Sequence, residues 1–462
     1  MGIDLAFTSV IEQARLVADK QCSARDLVQH SLGVISRLNP DLRAFTQVFA
    51  DAALAVADSL DAGPVTGPLH GVPIAVKDEI DVAGYRTCFG TNAVTHIAKS
   101  DAEVVRRLRE AGAIIIGKTA MPEFGQWPFT ESTANGYTRN PWNRMCSTAG
   151  SSGGTAAAVA SGMVAAGLGG DGGGSIRLPS SWCGLFGVKS QRGRISAAPN
   201  PSLWRALGVS GPLTRTVADS ALLFDVLASH LPTDRFAAEP WDRTLSEAVT
   251  QDPGPLRVRV IEDPPDGGPK AEPQTKEALR AVGVALAGLG HDVATGGWPP
   301  YKAGFMMTAQ MAGGVIDELA AIDSVKGLEK RTRRALLLYR ILNALSAKAE
   351  TDAAAAGEVF FKVFDEVDVI LTPTTYRHAL PVGQLDGLGV LATSRVSLPI
   401  SAYTSIWNVL GNPAAAVPAG FSRDGLPLSV QIATAPNREP LLFQVAAQIE
   451  KALPWADRKP AL

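Results

Sequence analysis

The stretch from Asp101 to Thr119, DAEVVRRLREAGAIIIGKT, decides the fold class. Its first part places Val104, Val105 and Leu108 on one face of a helix that Gly112 ends. Its second part, Ile114-Ile115-Ile116, is a continuous β-branched run, the pattern of a strand buried on both faces. A helix feeding directly into a fully buried strand is the unit from which α/β proteins are built. Upstream, Ile74-Ala75-Val76-Lys77 reads as another short buried strand. Downstream, Val367 to Leu371 and Pro427 to Ile432 read as strands, and Glu439 to Leu453 as a helix. The first 60 or so residues read as helical, with a capping-box-like start at Ser23-Ala24-Arg25-Asp26 and a stop at Asn39-Pro40. Thr155 to Gly170, mostly Ala and Gly, reads as a buried helix running into a strand. Asp252 to Pro273, rich in Pro, Asp and Gly, reads as a surface connection, and residues 301–363 as mostly helical. Because the late strands look like the early ones, one layered α/β unit with a helical insertion is preferred over a chain split near residue 250.

Composition narrows the function classes. The 462 residues carry 43 Lys+Arg against 45 Asp+Glu, a formal net charge of −2, so there is no basic excess to grip nucleic acid or an anionic membrane. With 46% hydrophobic residues the chain has ample core and is not disordered. Cys22, Cys88, Cys146 and Cys183 show neither CxxC nor Cys/His ligand spacing, so a reduced, cytoplasmic setting with no metal is expected. Met1-Gly2-Ile3-Asp4-Leu5 lacks a basic leader region and Ala6 breaks the myristoylation pattern, while Thr155–Gly170 is too short to span a membrane.

Three familiar signatures read as accidents. Gly112 to Thr119 matches GxxxxGK[ST], but its interior is the apolar strand run, whereas a phosphate loop must point backbone N–H groups at its ligand. Gly167 to Gly172 matches GxGxxG, yet Gly173-Gly174 and Pro179 oppose the helix that should open next. Gly150 to Gly154 matches GxSxG, but a polar, irregular segment precedes it instead of a hydrophobic strand. The informative signal is a pair of segments, Gly150-Ser151-Ser152-Gly153-Gly154 and Asp171-Gly172-Gly173-Gly174-Ser175-Ile176-Arg177. Consecutive glycines weaken an ordered element by about 0.5–1 kcal/mol each relative to Ala. They make sense where backbone N–H groups must converge on one point beside a nucleophile.

With these residues the chain resembles the amidase signature family. The resemblance continues through Cys183-Gly184-Leu185-Phe186-Gly187-Val188-Lys189, and the family's lysine motif appears as Gly71-Val72-Pro73-Ile74-Ala75-Val76-Lys77-Asp78. Matching segments run from about residue 10 to 455; Thr148-Ala149 and Ser190-Gln191 depart from the family pattern and concern loop shape. The resemblance implies one large domain over residues 1–462, with a central mixed, twisted β-sheet covered by helices on both faces. It implies a signature core over about 65–215, a variable and mostly helical region over about 250–365, and C-terminal strands and a helix over 366–462 that rejoin the core. It further implies Ser175 as acyl-forming nucleophile, Ser151 after a cis peptide as the bridging serine, and Lys77 as base.

The chemistry is coherent residue by residue. A serine hydroxyl needs a neighbouring base, and lysine is one only when burial keeps it neutral. The N–H groups of Gly172, Gly173, Gly174 and Ser175 are expected to hold the oxyanion, with Ser152, Asp171 and Arg177 in support, the last two as an ion pair. No cofactor is implied. The expected substrate is a small, fairly apolar amide, with esters, anilides and carbamates left open, and a homodimer also left open. Candidate pocket residues are Phe124, Gln126, Trp127 and Trp182, together with Tyr403 to Trp407 and Met306, Met307 and Met311. The alternatives are the glutaminase subunit of a tRNA-dependent amidotransferase, which shares the signature, a GxSxG hydrolase using His230, His291 or His378, and a nucleotide binder at Gly112–Thr119.

Overall fold

Eleven strands join into one mixed sheet: β1 Phe45–Val48, β2 Pro73–Lys77, β3 Ile114–Thr119, β4 Ala166–Asp171, β5 Phe186–Lys189, β6 Val209–Thr214, β7 Arg257–Val260, β8 Asp292–Thr295, β9 Val369–Pro373, β10 Ala414–Phe421 and β11 Pro427–Ala433. Their order is β1-β3-β2-β4-β6-β5-β10-β11-β9-β7-β8. The computed structural model describes residues 5–200, 204–265, 268–299 and 304–462; of the leader reading, Met1 to Asp4 lie outside these. The β3-β2-β4 and β9-β7-β8 groups are parallel, and the strands between them pair antiparallel.

Alternating side chains serve two cores. Ile74, Val76 and Ile115 join the apolar cluster on one face, and Ala75, Ile114 and Ile116 the cluster on the other, where the fully buried helix Gly153–Ala160 packs. Every residue of β2, β3 and β4 is buried, which is why these strands read as unbroken apolar or small-residue runs.

Three expectations change. The helix starting at Ala24 runs through Pro40 to Leu42 and closes on Arg43 in the left-handed region, φ 50°. Proline sits here in the last turn, where it removes one backbone bond, and the helix ends two residues later. Asp252–Pro273 is more than a connection, because it contains β7, which pairs with β8 and β9 inside the sheet. The first 60 residues also contain a strand, β1, at the sheet edge. Both β1 and the exposed edge strand β8 are four residues long, too short for a clear period. Residues 304–318, 330–343 and 346–360 are helical as expected. Among the described residues no helix is long and apolar enough to cross a membrane.

The sheet determines what meets at its centre. β2 and β4 are parallel neighbours in register Val76↔Leu168, so both end on the same side, where the Lys77 side chain reaches the Gly170 carbonyl. Ligand sites in such sheets gather at the carboxyl ends of the strands.

Candidate active site

Lys77 is the last residue of β2 and is 1% exposed. Its Nζ lies 2.8 Å from Ser151 Oγ, 3.3 Å from the Gly170 carbonyl and 3.1 Å from Glu79 Oε2. Burial pulls the amine below its ordinary pKa, and the charges of Glu79 and Asp171 act in the opposite direction. Two other lysines are equally buried and differ in what they touch. Lys118, from the phosphate-loop look-alike, lies inside β3 and donates to Thr87 Oγ1 at 2.6 Å. Lys189 donates to the Ser190 carbonyl at 2.7 Å. Of the three, Lys77 is the one whose amine meets a serine hydroxyl.

Ser151 follows a cis peptide bond at Gly150–Ser151. Ser152 fastens the two serine loops together. Its Oγ donates to the Gly170 carbonyl at 3.2 Å and lies 3.3 Å from the Gly170 N–H, while its own N–H donates to the Ser175 carbonyl at 3.1 Å. Ser175 follows Gly174, whose φ of +124° favours glycine.

The loop between β4 and the helix Arg177–Cys183 is organised by Asp171. Its carboxylate accepts the N–H of Gly174 at 2.7 Å, of Ile176 at 3.2 Å and of Arg177 at 3.3 Å. The Arg177 guanidinium closes on both carboxylate oxygens at 3.0 and 2.9 Å and also reaches Asn408, Gln431 and the Thr404 carbonyl. Asn408 in turn donates to the Asp171 carbonyl and carboxylate. Burial opposes the Asp171 charge, but Arg177 and Asn408 outweigh it and hold the carboxyl well below the usual carboxylate range. This network corrects one expectation: the Gly174 N–H is bound to Asp171 and is not available to an oxyanion. Among the described residues, the N–H groups of Gly172, Gly173 and Ser175 have no acceptor within hydrogen-bonding distance.

Ser175 and Gly173 border a cavity of about 240 Å³. Its lining combines the apolar Trp127, Leu178, Trp204, Met307 and Met311 with the hydroxyl-bearing residues Thr308, Ser394, Ser397, Ser401 and Ser405. Among the described residues no charged side chain and no histidine lines it. Of the pocket candidates, Gln126 and Trp127 reach the cavity, as do Met307, Met311 and Ser405. Phe124 and Trp182 do not; each is core. Phe124 packs with Phe89, and Trp182 packs on Phe129 and donates to the Arg377 carbonyl. Tyr403 and Trp407 are fully buried beside Gln431 and Phe360, respectively. Trp204 was not expected. Its indole N–H donates to the Phe124 carbonyl at 3.2 Å and its ring covers Gly172, where a Cβ would stand 2.3 Å from it. A lone tryptophan in a loop gives no periodic signal that could have shown this.

Comparison with known proteins agrees with the geometry. The family model described as Amidase matches residues 26–443. AmiB2 of Mycobacterium tuberculosis is 42% identical over 472 residues, covering 99% of this chain and 99% of that protein. The 6-aminohexanoate-cyclic-dimer hydrolase of Paenarthrobacter ureafaciens is 33% identical over 490 residues, covering 97% of this chain and 96% of its own length. A solved structure of 6-aminohexanoate cyclic dimer hydrolase complexed with substrate superposes with a TM-score of 0.90 at 31% identity, covering 99% of both chains. By sequence along nearly its whole length and by fold, the chain belongs to the amidase signature family, and it is an amide-hydrolysing enzyme.

Proposed function

We propose that the chain hydrolyses a small, uncharged, largely apolar carboxylic amide through an acyl-enzyme on Ser175, with Ser151 as proton bridge and Lys77 as base. The observation that carries this reading is the buried 2.8 Å contact between Lys77 Nζ and Ser151 Oγ, on a loop tied to the one that bears Ser175. Neutral Lys77 takes the Ser151 proton as Ser151 takes that of Ser175, whose Oγ attacks the amide carbon. The tetrahedral oxygen is met by the N–H groups of Gly172, Gly173 and Ser175. The proton returns along the same path to the leaving nitrogen, the C–N bond breaks, and ammonia or an amine departs. Water, activated in the same way, then releases the carboxylate and restores Ser175.

The cavity supports the substrate class. Glutamine carries an ammonium and a carboxylate that need ionic partners, and the described wall has none, so the glutaminase alternative is not favoured. A neutral substrate with an apolar acyl part fits the tryptophan and methionine lining. Trp127 and Ser397 belong to the lining, and their Nε1 and Oγ atoms are buried without a hydrogen-bond partner, so a small shift of the wall would offer them to a second polar group of the substrate. Trp127→Phe is accordingly expected to raise KM roughly 2- to 10-fold with kcat nearly kept, the weight of one neutral hydrogen bond. An unchanged KM across a panel of amides would remove Trp127 from substrate contact. The reading includes a cytoplasmic setting, supported by four cysteines that stand unpaired.

The direct test is labelling with a serine-reactive phosphonate followed by peptide mapping. Modification at Ser175 is expected, blocked by a competing amide. Modification confined to Ser151 or Ser152 would overturn the assignment of nucleophile.

A further inference from the structure

We propose that Glu79 is a positioning residue for this reaction: its carboxylate holds the Lys77 amine so that the lone pair faces Ser151, and it decides when that amine is free of its extra proton. The proposal rests on the acyl-enzyme reading above.

Glu79 lies two residues beyond Lys77, past the end of β2, with its Oε2 3.1 Å from Nζ and its side chain 10% exposed. Its other oxygen lies across β4 at Gly170, where a Cβ would stand 1.9 Å from Oε1. The strand has glycine at the point where the carboxylate passes. Lys77 Nζ therefore has three oxygen neighbours: Ser151 Oγ, the Gly170 carbonyl and Glu79. A carbonyl and a carboxylate can only accept. A neutral amine has two N–H donors and one lone pair. When both donors go to Gly170 and Glu79, the lone pair is left for the Ser151 hydroxyl, which is the orientation a base needs. An ammonium donates to all three and cannot accept a proton. The same contacts thus fix the active form and, through charge, favour the inactive one.

The far side of Glu79 borders a second cavity, of about 380 Å³, separate in its lining from the one at Ser175. Asp81, His96, Asp317 and Glu318 also line it. These, with Asp78 next to Lys118 and with Asp171 compensated by Arg177, are the charged groups around the Lys77–Glu79 pair. Glu318, from the helix Gly304–Glu318, accepts from Asn200 at 3.0 Å and is pushed up to about 7 by burial, with the Glu79 charge adding to it. It is thus partly neutral near pH 7, and Glu79 is the acidic side chain that touches the amine.

The sign of the effect follows. Burial favours the neutral amine, and Glu79 favours the ammonium. In the wild-type enzyme kcat/KM should rise with pH as Lys77 loses its proton. Glu79→Gln removes the charge and leaves the burial, so the acid limb should move toward lower pH by roughly 1–3 units. The plateau kcat should fall because the amine is less well held, with KM close to wild type. Glu79→Asp keeps the charge one methylene farther away, and its limb should fall between the two. A Gln limb that coincides with wild type overturns the proposal; if Gln does not fold, an Asp limb that coincides does the same. Lys77→Ala run alongside separates the failures. Near-normal activity there overturns the lysine-base reading itself, while an inactive Lys77→Ala with an unmoved Gln limb overturns only the role of Glu79.

Discussion

Ser175→Ala is expected to abolish hydrolysis, with kcat/KM falling on the order of 10⁴- to 10⁶-fold while the fold persists. The two halves of that expectation come from different atoms. Ser175 borders the cavity, and in the proposed mechanism its hydroxyl forms the covalent bond, a role no other group takes over. The backbone carbonyl of Ser175, which accepts from the Ser152 N–H, is untouched by the change and keeps the loop in place. Lys77→Ala should come close to the same loss, because the members of one proton relay fail as a unit. It should also be less stable than Ser175→Ala, since it leaves the largely buried Glu79 carboxylate without its cation. The measurements are single-turnover hydrolysis and thermal unfolding on the same preparations. Activity near wild type in Ser175→Ala would sink the mechanism.

Arg177→Met should be the most destabilising single change in the site, by about 3–5 kcal/mol. The methionine fits a long apolar stem but leaves the Asp171 carboxylate charged, buried and without its cation. Arg177 is fully buried and ties Asp171 to Asn408, Gln431 and the Thr404 carbonyl, so its loss unlinks the loop that carries Ser175. The pH dependence is part of the prediction. Asp171 has a depressed folded-state pKa, so its contribution is present above the ordinary carboxylate value of about 3.9 and is lost as pH falls through the folded-state value. In the variant the lone carboxyl takes up a proton more readily. The gap between wild type and Arg177→Met should therefore narrow toward acid pH. A denaturant midpoint equal to wild type at neutral pH would show that the network is not a support.

The residues proposed to carry the chemistry stand out in the sequence because their reasons are local. A triple glycine before a serine, and a lysine ending an apolar strand, are unusual enough to stand out from packing. The strands β2 and β3 were legible for the same reason, being continuous runs buried on both faces. What escaped depends on distant partners. Phe124 and Trp182 look like pocket aromatics in sequence, yet the nearest side chains to each belong to the core. Trp204 enters the cavity only because the fold brings it against Gly172. The Gly174 amide is an exception, since the carboxylate that claims it belongs to Asp171 only three residues earlier, and the glycine run alone does not show which of its N–H groups that side chain takes. Glu79 passed unremarked because its meaning lies in a contact with Lys77 across the end of a strand.

The clamp on Arg177 also bears on how the enzyme is made. Its partner Gln431 is 254 positions farther along the chain. At about 5–20 residues per second, a ribosome needs roughly 13–50 s to add that length. During that interval the nucleophile exists as a covalent group but lacks the scaffold that orders its loop. A nascent chain is thus expected to lack activity until its last strands emerge, as is any product truncated before residue 404.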